Sequence, residues 1–263
     1  MIIEYHRPKE LKEALELIGR SNPRTYPLGG GSSINQPGDE EFAVVDLQDL
    51  NLNQLQKNQN SFFFGAKVTL QNLLDFFTGL EPDSFAGKSE LEKAIRHEAS
   101  FNLRQVASIA GTIVSADGRS AFVTSLLALD AVVKVISQDG EAERINIGDL
   151  FPLWKKGNRG KLILEFEIPN NTNFVYQFVA RTPADLPIVC CAVNKWPSNR
   201  IRGALGGYGD YPKMFFDGTD EGGIQIAAED AYSQANDHWA SSEYRSQIAG
   251  MLAKRCVNLI SVS

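Results

Sequence analysis

Two short, nearly uncharged segments that contain glycine are the residues of this sequence best suited to chemistry. The first glycine segment is residues 28–35 (LGGGSSIN), and the second glycine segment is residues 107–112 (ASIAGT). Glycine has no Cβ to hold an anion away, so backbone N–H groups in such segments can converge on a phosphate. Two of them suit a ligand with a pyrophosphate in its middle, which favours a dinucleotide.

Neither segment matches a standard nucleotide-binding motif. In the first, the third glycine of GxGxxG would fall on Ile34, and no Gly-Lys-Ser/Thr follows as in a P-loop. A flexible turn is the competing interpretation there, although the hydroxyl groups of Ser32 and Ser33 add donors for an anion. For the second segment, the interpretation that competes with a phosphate site is a helix terminus or a bulge. The turn at 115–118, which precedes a capped helix, favours the phosphate site.

Other catalytic machinery is not visible in the sequence. The three histidines are scattered without an acidic cluster, and GxSxG is absent. The three cysteines, an adjacent pair and a distant single residue, fit neither a disulfide framework nor a CxxC motif. We therefore expect no metal site, no iron–sulfur cluster and no catalytic acid or base in this chain. If the protein does chemistry, a cofactor must supply it.

Composition narrows the class of protein further. The length of 263 residues suffices for one large domain or two modest ones. A net charge of −6 argues against a nucleic-acid surface, which is usually basic. The N-terminal stretch has no apolar core of signal-peptide length, and no segment approaches the length of a membrane span. We expect a cytoplasmic protein.

The hydrophobic pattern predicts short α and β elements in the first half of the chain. The predicted strands are 2–5, 25–28, 43–47, 61–65 and 131–136, and the predicted helices follow Pro8 and Thr69 and span about 89–97 and 120–129. The first glycine segment follows the second of these strands. The polar stretch 51–60 (NLNQLQKNQN) is predicted to be a surface excursion.

The second half of the chain has a different pattern of predicted elements. Five consecutive strands are predicted, at 162–168, 174–181, 188–195, 200–205 and 211–216, followed by helices at about 224–236 and 242–260. This pattern predicts an antiparallel meander covered by helices on one face, in an α+β design. We place the domain boundary near Pro169, which gives domains 1–169 and 170–263, the first with subdomains of about 1–50 and 51–169.

Several motifs in order resemble the FAD-binding medium subunit of the molybdenum hydroxylases, which include xanthine dehydrogenase, aldehyde oxidase and aerobic carbon monoxide dehydrogenase. In the first domain they are 26–32 (YPLGGGS), 44–47 (VVDL), 64–70 (FGAKVTL), 104–112 (RQVASIAGT) and 126–131 (LLALDA). In the second they are 181–185 (RTPAD), 202–207 (RGALGG) and 241–245 (SSEYR). The resemblance therefore covers almost the whole chain.

The resemblance implies a two-part FAD-binding domain of the vanillyl-alcohol oxidase type, followed by a small antiparallel-sheet-plus-helices domain. The positions that it implies for FAD are Leu28, Gly29, Gly30, Gly31, Ser32, Ser108, Ile109, Ala110, Gly111, Thr112, Asp117, Ile163 and Gln177. In relatives the two glycine segments wrap the pyrophosphate, and the residue matching Ile163 packs near the flavin.

The resemblance also implies a function and partners. Electrons would pass from 2Fe–2S centres on a small subunit through FAD to an acceptor such as NAD or a quinone. Hydroxylation would occur on a large subunit with the molybdenum cofactor, and relatives form dimers of heterotrimers.

The sequence departs from the family pattern at four positions. Thr112 replaces an Asn, Ala110 a Gly, Ala121 an acidic residue and Gln177 a Lys. These changes leave open a second hypothesis, a scaffold subunit of the same complex that binds no flavin. A stand-alone flavin oxidase fits less well, because this length leaves little room for a substrate domain.

Overall fold

The computed structural model describes residues 1–34, 41–81 and 84–262. Asn35, the last residue of the first glycine segment, lies outside the described residues. Within the described chain, twelve strands form three sheets, with nine helices between and around them. The predicted mixed α/β fold with antiparallel sheets is confirmed in outline.

The N-terminal sheet has three parallel strands in the order β1-β3-β2. They are β1 (Ile2–His6), β2 (Thr25–Leu28) and β3 (Phe42–Asp46), and α1 (Leu11–Gly19) connects the first two. The buried residues of α1 recur at helical spacing and pack against β3 and the neighbouring sheet. The first glycine segment therefore leaves the end of a strand that is fixed by sheet pairing.

The central sheet is antiparallel, in the order β4-β5-β8-β6-β7. Its strands are β4 (Leu55–Lys57), β5 (Ser61–Gly65), β6 (Val132–Ser137), β7 (Ala142–Asn146) and β8 (Lys161–Pro169). The stretch 51–60 lies largely at the surface, as predicted, but the prediction missed β4, which lies within it and pairs with β5. Its largely polar residues carry too weak an apolar alternation to signal an edge strand.

Six helices lie in the part of the chain around the central sheet. They are α2 (Leu70–Gly79), α3 (Lys88–Glu98), α4 (Phe101–Val106), α5 (Ile109–Ser115), α6 (Ala121–Ala128) and α7 (Ile147–Lys156). Thr69 and Ser120 cap α2 and α6 through their side chains, as the sequence predicts. The second glycine segment coincides with the start of α5, so its helix-terminus interpretation is the one that the structure shows.

The C-terminal sheet has four antiparallel strands in the order β12-β11-β10-β9. They are β9 (Asn173–Val179), β10 (Val189–Lys195), β11 (Ile201–Gly206) and β12 (Lys213–Gly218), followed by α8 (Ile224–Ala231) and α9 (Ser242–Val262). The prediction of a five-strand meander is wrong in one strand. Its first member, β8, instead lies between β5 and β6 in the central sheet, because strand pairing is decided by contacts that are distant in sequence.

Helices cover both faces of this C-terminal sheet, not one face as predicted. One face packs on α8 and α9, and the opposite face packs on α3 and α6. The second contact joins the C-terminal sheet to the helices of the first half of the chain. Among the described residues, no helix is both long enough and apolar enough to cross a membrane.

Candidate cofactor site

The two glycine segments meet in the structure. A Cβ at Gly29 would lie 2.5 Å from the Ser108 Oγ, and a Cβ at Gly30 would overlap the carbonyl oxygen of Val106. Gly31 has φ +74, a conformation that a residue with a side chain rarely adopts. Three consecutive glycines therefore let the first segment turn tightly and lie against the second.

Backbone donors are available in the first segment. The N–H groups of Gly30, Gly31 and Ser32 donate no hydrogen bond to any other residue that the structure describes. Backbone donors without a partner are costly unless water or a ligand satisfies them. Consecutive unpaired N–H groups in a glycine turn are the usual components of an anion-binding nest.

Backbone donors of the second segment are already used. The Ser108 Oγ accepts from the N–H of Gly111 at 3.1 Å. The N–H of Ile109 donates to the Val68 carbonyl at 2.8 Å, and that of Ala110 donates to the Ala66 carbonyl at 3.1 Å. Because these are the donors of the first turn of α5, the segment supplies a wall of the site and no free backbone donors from that turn.

A cavity of about 480 Å³, within the range typical of ligand pockets, lies beside the first segment. Five of the positions predicted for FAD line it, namely Gly29, Ser108, Ala110, Gly111 and Ile163. Tyr26, Pro27, Leu162 and Trp154 add further apolar surface. The cavity therefore offers a flat apolar ligand a wall on one side and the glycine turn on another.

The lining of this cavity also carries positive charge. Its cationic residues are Arg20, Arg24, Lys67, Arg159 and Lys161, and no Asp or Glu is found among its described lining residues. We name it the cationic cavity. A pocket lined by charge of one sign attracts a ligand of the opposite sign. None of these five residues was predicted from the sequence.

Neighbouring groups fix two of these cations, Arg20 and Arg159. Arg20 donates through Nε to the Thr25 hydroxyl at 2.7 Å and through Nη2 to the Glu4 carboxylate at 2.5 Å. The Nε of Arg159 donates to the Gly19 carbonyl at 3.0 Å. These bonds hold the guanidinium groups in place before a ligand binds, which reduces the entropy lost on binding.

A second cavity, of about 240 Å³, borders the other end of the first segment. It is lined by Ser32, Thr112 and Asp117, three more of the predicted positions, and by Ser33, Glu98, Ser115 and Ser120. We name it the hydroxyl-rich cavity. The hydroxyl of Ser33 donates to that of Ser115 at 3.0 Å, which ties the first segment to α5.

Five predicted positions line neither cavity. Leu28 ends β2, Gly30 and Gly31 form the turn, and Ile109 is buried in the core beneath α5. Gln177 also lines neither cavity, because it lies on β9 opposite Cys191 in the C-terminal sheet. The structure thus places all the predicted positions except Gln177 in or directly around the glycine segments and the two cavities.

These residues fit a cofactor with an anionic centre and an apolar ring. Unpaired N–H groups and five cations suit a pyrophosphate, and the wall containing Ile163 suits an aromatic ring system. The described part of the chain contains no group of three or more His, Cys, Asp or Glu side chains that could hold a metal ion. The unpaired N–H groups, the cations and the apolar wall together fit a dinucleotide.

Comparison with known families decides which dinucleotide. The family of the FAD binding domain in molybdopterin dehydrogenase matches residues 1–171. The chain belongs to this family. FAD is its cofactor, and the protein is the flavoprotein subunit of an oxidoreductase complex of the dehydrogenase type.

Individual relatives are distant but match almost the whole chain. The glyceraldehyde dehydrogenase medium chain of Sulfolobus acidocaldarius is 26% identical, over 95% of each chain. The uncharacterized protein YgfM of Escherichia coli is 27% identical, over 96% of this chain and 94% of that protein. A chain of carbon monoxide dehydrogenase from Hydrogenophaga pseudoflava, lacking the Mo-pyranopterin moiety, superposes with a TM-score of 0.80 at 20% identity, over 100% and 98% of the two chains. This last likeness shows a shared fold.

Proposed function

We propose that this chain is the electron-transfer medium subunit of a multi-subunit molybdenum hydroxylase. A small subunit with 2Fe–2S centres would deliver electrons, and a large subunit with the molybdenum cofactor would carry out hydroxylation. The family membership and the relative named as a medium chain support this assignment. The observation that carries the assignment is the cationic cavity. It combines positive charge and an apolar wall with a neighbouring glycine turn whose N–H groups have no partner among the described residues.

The residues of the site would act by holding and orienting the cofactor. The N–H groups of Gly30, Gly31 and Ser32 would donate to the pyrophosphate, and the cations would balance its charge. Ile163, which is 3% exposed, would pack on the flavin ring and keep water from that face. Bound FAD exchanges electrons singly or in pairs, which suits transfer between iron–sulfur centres and an acceptor such as NAD or a quinone.

No acid–base step is assigned to this chain. The described lining of the cationic cavity contains no Asp, Glu or His that could serve as a general base. The subunit would therefore contribute binding, orientation and electrostatics, and the substrate would be chosen on the large subunit.

The finer structural predictions belong to the same proposal. We assign the vanillyl-alcohol oxidase type to the FAD-binding domain, with domains 1–169 and 170–263 and subdomains of about 1–50 and 51–169. A dimer of heterotrimers in the cytoplasm is the expected assembly. The change of sheet between β8, which ends at Pro169, and β9, which begins at Asn173, supports the boundary.

Co-purification from the native host tests the proposal. An affinity-tagged full-length chain should recover a 2Fe–2S protein and a molybdenum protein in equal amounts, identified by mass spectrometry and metal analysis. Recovery of the chain with flavin but with neither partner would contradict the assignment as a medium subunit.

A further inference from the structure

The hydroxyl-rich cavity differs chemically from the cationic cavity. Hydroxyl groups of Ser32, Thr112 and Ser115 line it together with the carboxyl groups of Glu98 and Asp117. No Lys or Arg is found among its described lining residues. Two carboxyl groups without a cation repel a phosphate, so this cavity suits an uncharged group that carries hydroxyls.

Glu98 is the side chain best placed to bind a hydroxyl group in this cavity. It is the last residue of α3 and reaches across to the start of α6. Its Oε2 accepts from the Ser120 hydroxyl and from the Phe122 N–H, both at 2.9 Å. Both hydrogen bonds end on Oε2, and Oε1 takes part in neither. The Ala121 N–H is a third donor to the carboxyl group. A carboxylate has about four acceptor sites, so three donors leave acceptor capacity for a ligand.

The buried surroundings of the Glu98 carboxyl strengthen a hydrogen bond that it makes with a ligand. Burial raises its pKa above the ordinary range, while the Phe122 N–H and the Ser120 hydroxyl lower it and the nearby Asp117 raises it. Burial in low dielectric strengthens a hydrogen bond that the group makes with a ligand. The Ser120 hydroxyl and the Phe122 N–H also fix the carboxyl in one orientation, so it is ready to accept a hydrogen bond from a ligand.

We infer that the Glu98 carboxyl accepts a hydrogen bond from a sugar-type hydroxyl of bound FAD in the hydroxyl-rich cavity. This inference rests on the proposed function, because it takes FAD as the ligand of the two adjoining cavities. The hydroxyls belong either to the ribityl chain or to the adenosine ribose. The two cavities border the same glycine segment, so one cofactor can occupy both.

The test measures FAD affinity of the full-length chain by flavin fluorescence and by calorimetry. Glu98→Ala and Glu98→Gln are compared with the wild type, using FAD and two analogues. One analogue carries an alkyl chain in place of ribityl, and the other carries 2′,3′-dideoxyadenosine. Glu98→Ala should raise the Kd for FAD by roughly ten- to a hundredfold, the effect of losing a hydrogen bond to a charged group. Glu98→Gln should give a smaller loss.

The analogue that lacks the contacted hydroxyl should bind wild type and Glu98→Ala with equal affinity. This result identifies whether the ribityl chain or the adenosine ribose makes the contact. Glu92→Ala is the matched control on the same helix, because its carboxylate pairs with Arg96 at 3.1 Å and lines neither cavity. That variant should bind FAD as the wild type does.

Two results would overturn the inference and leave the proposed function standing. One is an unchanged FAD affinity in both Glu98 variants. The other is an equal loss against FAD and both analogues together with a lower melting temperature of the apoprotein, which would make Glu98 a helix cap only. Failure of the wild type to bind FAD at all would instead contradict the proposed function.

Discussion

The two glycine segments have similar residues but different roles in the structure. In the first, the N–H groups of Gly30, Gly31 and Ser32 have no partner among the described residues. In the second, the donors of Ile109, Ala110 and Gly111 are bonded within the protein. Glycine content alone therefore does not identify an anion site. Whether the backbone N–H groups are already hydrogen-bonded within the protein distinguishes an anion-binding segment from one that only packs.

The largest expected effect comes from adding a side chain to the first segment. Gly30→Ala places a methyl group on the Val106 carbonyl at the end of α4, so the first segment must move away from that residue. We expect a loss of about 1–3 kcal/mol in the free energy of unfolding, typical of overpacking, and a large loss of FAD binding. Urea unfolding and flavin titration measure the two effects.

Gly79→Ala is the control, because a Cβ there meets nothing within 4 Å and the residue ends a helix with ordinary φ. That variant should be as stable as the wild type and bind FAD equally. Unaltered stability and FAD affinity in Gly30→Ala would contradict the packing of the two segments.

A smaller effect is expected from the cations that line the cationic cavity, which both glycine segments border. Lys67→Gln or Arg159→Gln removes one charge from the lining of the cationic cavity. Each should weaken FAD about tenfold at low salt, and the difference from wild type should shrink as salt screens the charge. Lys12→Gln, on the exposed side of α1, is the matched control. A loss that does not respond to salt would assign these residues a packing role.

Removing the cap of the second segment should affect stability and not ligand binding. Ser108→Ala deletes the acceptor for the Gly111 N–H, and loss of an N-cap costs about 1 kcal/mol of unfolding free energy. The FAD affinity should change by less than about threefold, because that loss is structural. A strong loss of FAD with unchanged stability would show that the second segment binds the cofactor directly.

The smallest effect is expected at Gln177. Its position on β9 places it outside both cavities, so Gln177→Lys and Gln177→Ala should leave FAD affinity unchanged. Calorimetry on the purified chain tests this. Tighter binding in Gln177→Lys alone would mean that β9 reaches the cofactor after all.

Local rules account for much of the fold. Thr69 and Ser120 were predicted to begin helices, and each accepts a backbone N–H as an N-cap does. The strands β6 and β7 form a hairpin around Asp139-Gly140, a turn of the kind that local sequence specifies. The six-residue helix α4 was not predicted, since it carries too few turns for a clear periodicity. The helix α7 was not predicted because Pro152, which lies inside it, is typical of a helix break.

Long-range features could not be predicted in the same way. The placement of β8 depends on pairing with β5 and β6, which no local pattern specifies. The five cations of the cationic cavity come from three separate parts of the chain, and only Lys67 lies in a quoted motif, 64–70, which gives it no role. Glu98 was not predicted either, because its carboxyl accepts a hydrogen bond from the start of α6, more than twenty residues later in the chain.

Flavin content is the measurement that tests the central claim most directly. The absorption spectrum of the purified chain would be recorded, and flavin released by denaturation would be identified by chromatography. We predict FAD at about one equivalent, the stoichiometry of a single ligand-binding site. A chain without flavin, which also fails to bind added FAD in the presence of its partner subunits, would contradict the account and support the flavin-free scaffold.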